Sequence, residues 1–366
     1  MNINNCKIGG GRNSSFELLR LVAMLLIVTH HFLVFNAGVC GYWEQYSLEK
    51  DGVLGIFLNS MAIIGVNLFV MISGWFGIKK VWSQVVRLIF DCMLYVLVAT
   101  IIACVIFGHH LTLTDVRYIF DSRPYWFIWH FIILIMMSPL LERAMRSADS
   151  RQLTYWVLLL TIINLGIGYV LGIFNINGYN VFNFIYLYVL SRWLRMIQEN
   201  KWFRVFSKYG LLIWVCSAAI LAVGYIFVTG IVSFNPSHGT RYFAYNNPLV
   251  LLSTLAVFSW FSQRQMKSRI INYLATGALG IYLFHSTNQV MKPYRTMFTV
   301  GLWNVYGYPG LFLAILCVYG GCLLLSIAVE WVKGHVGIVR RVYGIGQYVE
   351  DRVTAVLSPS PSHSQP

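Results

Sequence analysis

Long apolar runs alternate with short polar segments along the whole chain. Each run is continuously apolar and roughly twice as long as the ~10-residue alternating strand of a membrane barrel, so the runs predict membrane-spanning helices. The pattern therefore predicts an all-α fold, a polytopic integral membrane helical bundle of about ten transmembrane helices. The ten runs lie near residues 16–36, 53–76, 86–107, 124–141, 152–174, 181–197, 210–231, 248–262, 271–291 and 306–332.

Composition excludes a soluble protein. Hydrophobic residues make up 58% of the 366-residue chain and charged residues 11%, whereas soluble domains carry about 25% charged residues. The seven cysteines lie mostly inside apolar runs, and their spacing fits neither a disulfide framework nor a metal site. The expected organisation is a short cytoplasmic N-terminal segment (1–15), a transmembrane domain (16–335) and a cytoplasmic tail (336–366) whose last residues are disordered.

The basic residues predict an orientation in the membrane. When odd-numbered helices run outward, 21 of the 27 Lys and Arg residues fall at inner helix ends and loops, and 6 fall on the other side. Cytoplasmic loops carry such an excess, so both termini are expected in the cytoplasm. The same bias, together with contact with anionic lipid headgroups, accounts for the net charge of +14. Nucleic acid is not expected as a partner.

The first apolar run, FELLRLVAMLLIVTHHF (16–32), carries ionisable residues on one face. Arg20 and His31 are eleven positions apart, about three helical turns or roughly 16 Å along the axis. Glu17 lies one turn before Arg20 and can pair with it, whereas His30 points away from this face. Buried ionisable groups usually face a bundle interior. The alternatives are interfacial anchoring of Glu17 and Arg20 by snorkelling and a purely packing role for His31.

Other histidines are expected at a depth similar to that of His31. His285 lies one turn after Tyr282 in the ninth run, and His130 lies one turn after Trp126 in the fourth. A bundle that gathers His31, His130 and His285 at one level could hold a general base with hydrogen-bonding supports. Aromatic residues in the predicted outer loops suit stacking on sugars, although an interfacial aromatic belt is the alternative.

Four segments of the chain resemble the membrane acyltransferase-3 family, the bacterial O-acyltransferases that modify surface polysaccharides. The first run is similar to the family's opening helix, in which an acidic residue, an arginine three positions later and a histidine eleven positions after that match Glu17, Arg20 and His31. The other three segments are GVNLFVMISGWFGIKK (65–80), YWFIWHFIILIMMSPLL (125–141) and LGIYLFH (279–285). The resemblance covers residues 16 to about 332.

The resemblance implies transfer of an acyl group, usually acetyl, from cytoplasmic acyl-CoA to a sugar hydroxyl outside the bacterial cytoplasmic membrane. It implies catalytic roles for His31, Arg20 and Glu17, with no bound cofactor or metal. The acceptor would be a polysaccharide or a lipid-linked glycan. Many members carry paired arginines after the SG segment, where this chain has lysines and a single arginine. Implied donor-binding residues are Arg20, Ser73, Lys79, Lys80 and Arg87, and implied acceptor-side residues are His285, Tyr282, His130 and Trp126.

Two other membrane functions would also explain many spans with inner charges. A transporter, flippase or exporter of a lipid-linked sugar or polysaccharide is the main alternative, but it would favour internal repeats or paired Gly- or Pro-broken helices. A polysaccharide polymerase would favour larger outer loops with several arginines. A structural scaffold is the weakest alternative, because it gives no reason for Arg20 and His31 on one face. Binding of acyl-CoA would separate the acyltransferase from the transporters.

Overall fold

The computed structural model describes residues 13–40, 48–121, 125–174, 177–231, 241–285 and 291–357. All regular secondary structure in these ranges is helical. The helices are α1 (Ser14–Phe35), α2 (Leu48–Ala62), α3 (Gly65–Phe76), α4 (Val81–Phe107), α5 (Leu113–Phe120), α6 (Trp126–Ser147), α7 (Ser150–Thr161), α8 (Val181–Ile197), α9 (Lys201–Lys208), α10 (Gly210–Ile231), α11 (Pro248–Ser262), α12 (Arg269–Leu274), α13 (Ala278–His285), α14 (Lys292–His335) and α15 (Ile338–Leu357).

Within the described ranges, seven helical segments are long and apolar enough to cross a membrane. They are Ser14–Phe35, Gly52–Phe76, Val81–Phe107, Trp126–Ser147, Ser150–Val170, Gly210–Thr229 and Lys292–His335. Three further runs, near 181–197, 248–262 and 271–291, form shorter helices (α8, α11 and the α12–α13 pair). The all-α membrane architecture is confirmed, while the total of about ten spans and the cytoplasmic termini stay predictions.

The outer surface of the bundle is apolar, as expected for a surface in lipid. Ile101 and Val105 on α4 are 53% and 78% exposed, and Val223 and Phe227 on α10 are 65% and 64% exposed. Soluble monomers rarely expose contiguous apolar patches of this kind. These helices therefore turn one face toward the hydrocarbon and another toward their neighbours.

The first helix, α1, lies in the centre of the bundle. We call the end of the bundle where α1 begins the proximal end, and the opposite end the distal end. The proximal end of α1 is tied to residues far away in sequence, because the Ser14 amide donates to the Met266 carbonyl (2.9 Å) and the Ser15 hydroxyl to the Phe261 carbonyl (2.8 Å). Both serines are buried. This anchoring fixes the depth of the ionisable residues that α1 carries.

Close packing of α3 on α8 depends on Gly74, the glycine of the SG pair. A Cβ built on Gly74 would lie 2.2 Å from Ser191 Oγ and 2.5 Å from the Tyr188 carbonyl oxygen. At the C-terminal end of α3, Arg192 and Arg195 of α8 both donate hydrogen bonds to the Trp75 carbonyl (3.3 and 2.8 Å). The SG pair therefore brings the two backbones together, as small residues do in membrane bundles.

Gly74→Ala is expected to destabilise the protein by about 1–3 kcal/mol, because the new methyl group overlaps backbone that cannot move aside cheaply. The thermal unfolding midpoint of the detergent-solubilised protein measures this. Gly320→Ala is the matched control, because Gly320 also lies inside a long helix but a Cβ there meets nothing within 4 Å. An unchanged midpoint for Gly74→Ala would contradict the packing role.

Two of the long helical segments are interrupted. A turn at residues 63–64 separates α2 from α3, and α14 is kinked at Gly307, which has a φ of 58° and is followed by Pro309. A third segment changes its pitch, because α7 continues as a π-helix over Ile162–Val170. Such breaks place backbone groups inside a membrane bundle, where they need partners from neighbouring helices.

The predicted tail contains a helix that the apolar pattern did not indicate. Helix α15 packs along α4, and its Glu350 Oε2 accepts hydrogen bonds from the amides of Trp82 (2.6 Å) and Ser83 (3.4 Å) in the first turn of α4. The N-terminal amides of a helix have no partner within the helix, so this carboxylate caps α4. The predicted disordered stretch, residues 358–366, lies outside the described residues.

Candidate active site

Glu17 and Arg20 form an ion pair near the proximal end of α1. Arg20 Nη1 lies 2.5 Å from Glu17 Oε1, which is the pairing that their three-residue spacing predicts. Glu17 is 3% exposed, so the carboxylate belongs to the bundle interior and not to an interfacial anchor. The pair orients the guanidinium of Arg20.

Arg20 lines a cavity of about 570 Å³ in the proximal half of the bundle. Ser73 and Arg87 also line it, together with an apolar wall that includes Phe127 and Phe131. This volume lies in the ordinary range of small-molecule sites, and a mostly apolar wall with a few charged groups is typical of them.

Two of the five predicted donor-binding residues lie outside this cavity. Lys79 and Lys80 are exposed in the short connection between α3 and α4 and are not among the lining residues. Arg87 lies in the second turn of α4, and its side chain is exposed. Its guanidinium lies 3.6 Å from Asp91 and over the ring of Tyr343 of α15, 5.6 Å from the ring centroid. Of the predicted cations, Arg20 and Arg87 therefore reach the cavity.

A buried polar network supports the wall of the cavity. Lys333 Nζ lies 2.6 Å from Asp91 Oδ1 and 2.6 Å from Glu330 Oε1. Tyr95 extends the network, because its hydroxyl lies 2.8 Å from Ser326 Oγ and donates to Glu330 (3.3 Å). Asp91 and Glu330 line the cavity. Lys333, which is not among the lining residues, balances the negative charge of both carboxylates.

His31 and His285 meet in the distal half of the bundle. His31 Nδ1 lies 3.1 Å from His285 Nε2, and His285 Nδ1 lies 2.7 Å from the carbonyl oxygen of Ile281. Since a carbonyl only accepts, His285 Nδ1 carries a proton, and its Nε2 in a neutral ring accepts from His31 Nδ1–H. This chain of hydrogen bonds leaves His31 Nε2 with a free lone pair, which is the requirement for a general base.

Tyr282 connects the cavity with the imidazole pair. Its ring centroid lies 5.6 Å from that of Phe127, which lines the cavity, and 6.2 Å from that of His285. Neither His31 nor His285 lines the cavity itself. The predicted acceptor-side residues Tyr282 and His285 are thus adjacent, and together they connect the cavity that Arg20 lines with His31.

His130 does not join the imidazole pair. Its Nδ1 donates to the Trp126 carbonyl (2.7 Å), and its ring packs on Trp126 and Phe184, with centroids 5.7 and 6.1 Å away. Trp126 in turn stacks on Tyr245. The expected gathering of three histidines is therefore limited to two, because α6 presents His130 to a separate aromatic cluster.

His30, which points away from the face of Arg20 and His31, has a packing partner of its own. Its Nδ1 lies 2.6 Å from Asn59 Oδ1 on α2, and Asn59 Nδ2 lies 3.5 Å from Cys40 Sγ. His30 and Asn59 are both buried. These contacts fix the distal half of α1 against α2 and assign His30 a supporting role.

Comparison with known protein families decides the class of the protein. The family model described as an acyltransferase domain, acyltransferase-3, matches residues 13–331, which is most of the chain. The chain belongs to the acyltransferase-3 family. No curated protein and no solved structure gave a match to the chain. This acyltransferase is thus a multi-pass membrane protein whose matched region spans both the cavity and the imidazole pair.

Sequence reasoning missed several charged residues of this acyltransferase, among them Asp91 and Glu330 in the cavity wall and Arg295. Arg295, at the start of α14, lies beside the imidazole pair, and its Cζ is 6.0 Å from the ring centroid of Phe32. By its position in the sequence, Arg295 is one of the six Lys and Arg residues that were predicted to lie on the non-cytoplasmic side. Nothing in its local pattern indicates the site, because the contact depends on how the distal end of α14 packs against α1.

No metal centre is indicated by the described residues of the acyltransferase. Nowhere in these ranges do three or more His, Cys, Asp or Glu side chains cluster so that they could hold a metal ion. Cys40 and Cys92 are buried.

Proposed function

We propose that this acyltransferase moves an acyl group, in the first instance acetyl, from acyl-CoA to a hydroxyl of a surface polysaccharide or its lipid-linked precursor. The observation that carries the proposal is the hydrogen-bond chain from Ile281 through His285 to His31, which leaves His31 Nε2 unprotonated. Arg20, on the same helix, lines the cavity beneath it. An acceptor-activating base and a candidate donor site therefore share one helix.

The proximal cavity is the proposed donor site. Acyl-CoA carries several phosphate groups, and the guanidinium groups of Arg20 and Arg87 are suited to bind them with charge-assisted hydrogen bonds. Lys79 and Lys80 lie just outside and would add to the attraction. The apolar wall of Phe127 and Phe131 suits the pantetheine arm, which would direct the thioester toward Tyr282 and His31.

The proposed chemistry is direct transfer with His31 as general base. The acceptor hydroxyl oxygen attacks the thioester carbonyl carbon, and its proton passes to His31 Nε2 while the carbonyl π electrons move to oxygen. When the tetrahedral adduct collapses, the carbon–sulfur bond breaks and the thiolate takes the proton from His31. The products are an O-acyl ester and free CoA. His285 is a positioning residue that holds the tautomer and orientation of His31.

The proposed orientation places the proximal end in the bacterial cytoplasm and the imidazole pair toward the outside. The excess of Lys and Arg at the predicted inner loops supports this. Acyl-CoA is made in the cytoplasm, so a donor cavity at the proximal end and an acceptor site at the distal end fit the two substrates. The acceptor would approach the cluster of Trp126 and Tyr245, where aromatic rings suit sugar stacking.

A transporter of lipid-linked sugars is the second candidate function. The interrupted helices at residues 63–64 and Gly307 favour it, since broken helices build the binding sites of many transporters. Family membership favours acyl transfer instead. A transporter without acyl transfer would bind no acetyl-CoA.

The test is binding of radiolabelled acetyl-CoA to the purified protein in lipid nanodiscs, together with release of labelled acetate. Saturable binding and slow thioester hydrolysis are expected. Arg20→Met is expected to raise the dissociation constant for acetyl-CoA about 10–100-fold, the loss of one or two charge-assisted hydrogen bonds.

Two further variants keep this test interpretable. Arg20→Met leaves Glu17 buried next to an apolar side chain, so the double variant Glu17→Gln/Arg20→Met is measured beside it and is expected to bind equally weakly. Arg143→Met is the matched control, because Arg143 is an exposed arginine near the proximal end of α6. Wild-type affinity in both Arg20 variants would remove the donor role of Arg20, and no binding by the wild type would remove the proposed function.

A further inference from the structure

Arg295 places a permanent positive charge beside the proposed base. It lies in the first turn of α14, and its guanidinium approaches Phe32, the residue after His31 on α1. Phe32 and His31 share one turn of α1, and His285 contacts His31, so the guanidinium lies on the same side of the bundle as the imidazole pair. Arginine stays protonated in proteins, so this end of the site carries a fixed cation whatever the state of the two histidines.

In the part of the chain that the structure describes, nothing neutralises this cation. Arg295 takes part in none of the ion pairs of this part, and its Nε is buried without a hydrogen-bond partner. An unpaired charge that is partly removed from water is unfavourable, and charged residues inside membrane bundles mark functional sites. Arg192, by contrast, is held 2.5 Å from Glu142. The arrangement at Arg295 is that of a site that receives an anion.

We propose that Arg295 is a catalytic residue that binds the oxyanion formed at the thioester carbonyl during transfer. This inference rests on the proposed function. When the acceptor oxygen bonds to the carbonyl carbon and its proton moves to His31 Nε2, the carbonyl oxygen gains the negative charge. The half-buried guanidinium donates to that oxygen, and its hydrogen bonds strengthen as the charge develops. When the carbon–sulfur bond breaks, the oxyanion returns to a carbonyl and the proton leaves with the thiolate.

Position favours an oxyanion over the phosphates of the donor. The proposed phosphate ligand Arg20 lies about 16 Å from His31 along α1, and Arg295 does not line the proximal cavity. A base and an oxyanion donor, in contrast, must lie on either side of the same carbonyl carbon. The guanidinium of Arg295 lies beside the turn of α1 that carries His31, so the two groups could act on one carbonyl group.

The experiment measures hydrolysis of radiolabelled acetyl-CoA by the full chain in nanodiscs without acceptor, and binding of the same compound. Arg295→Met is expected to lower the hydrolysis rate about 10²–10³-fold, the usual effect of losing one oxyanion donor, while the dissociation constant stays within about threefold. Arg295→Gln is expected to lose at least tenfold, and Arg295→Lys, which keeps the charge, to retain more activity than Arg295→Gln. Lys292→Met, an exposed cation one turn earlier on α14, is the control and is expected to match the wild type.

The possible outcomes separate this inference from the proposed function. Wild-type hydrolysis by Arg295→Met or Arg295→Gln overturns the oxyanion role. So does a variant that hydrolyses acetyl-CoA normally but needs more acceptor for transfer, because Arg295 would then bind an anionic group of the acceptor. Weakened acetyl-CoA binding with an unchanged rate overturns it in favour of a phosphate ligand. If Arg295→Met does not fold, the order of Arg295→Lys and Arg295→Gln decides. Absence of binding and hydrolysis in the wild type contradicts the proposed function itself.

Discussion

His31→Gln is expected to lower acyl transfer and acceptor-free thioester hydrolysis by about 10²–10⁴-fold, the usual contribution of a general base. Glutamine has nearly the length of histidine and can still donate to His285 Nε2, so the packing of the distal half of α1 is retained. It offers no basic nitrogen for the hydroxyl proton. Acetyl-CoA binding should stay unchanged, because His31 does not line the proximal cavity. The measurement is kcat for labelled acetyl release or transfer, beside the dissociation constant of the donor.

His285 variants distinguish a positioning role from a packing role. His285→Gln keeps one acceptor and one donor, so it is expected to retain more activity than His285→Ala, with kcat lowered and the KM for acetyl-CoA unchanged in both. A purely structural role would instead lower the thermal unfolding midpoint and leave kcat of the folded fraction intact. A His31→Gln protein that transfers acetyl at the wild-type rate would end the base assignment.

Lys333→Met is expected to destabilise the protein by about 3–5 kcal/mol, the usual effect of removing one partner of a buried ion pair. Asp91 is 1% exposed and Lys333 6% exposed, so the carboxylate that remains is buried and keeps only Arg87, at 3.6 Å, as a cationic neighbour. The two residues join α4 to the proximal end of α14, and the wall of the cavity depends on this joint. Thermal inactivation of the solubilised protein, or its unfolding by denaturant, reports the loss.

A double-mutant cycle checks the reason for this loss. Asp91→Asn/Lys333→Met removes both charges of this pair and should recover part of the stability, because a neutral amide is far less costly to bury than a carboxylate that has lost its lysine. Glu330 loses its contact with Lys333 in both variants. Lys201→Met is the matched control, an exposed lysine at the start of α9. If the double variant is as unstable as Lys333→Met, the aliphatic stem of Lys333 and not its charge holds the joint.

Local spacing along one helix predicted the contact between Glu17 and Arg20. Glu17 and Arg20 are three residues apart, and the helix itself fixes their contact, so the sequence was sufficient for the pair that the structure contains. This contact depends only on residues one helical turn apart.

Contacts between helices that are far apart in the sequence could not be predicted from the sequence. His31 and His285 are 254 residues apart. His130 was predicted at a similar depth, but α6 is rotated about its axis so that the His130 ring packs on Trp126 and Phe184. Arg295 and the helix α15 were missed for a related reason. Their importance depends on which neighbour they pack against, and a single sequence carries no record of that choice.

The capping of α4 by Glu350 bears on how the protein is made. The amides of Trp82 and Ser83 leave the ribosome some 270 residues before their partner, and the first turn of α1 likewise waits for Phe261 and Met266. The residues that line the proposed donor cavity run from Arg20 to Glu330, so the cavity is complete only after most of the chain has been synthesised.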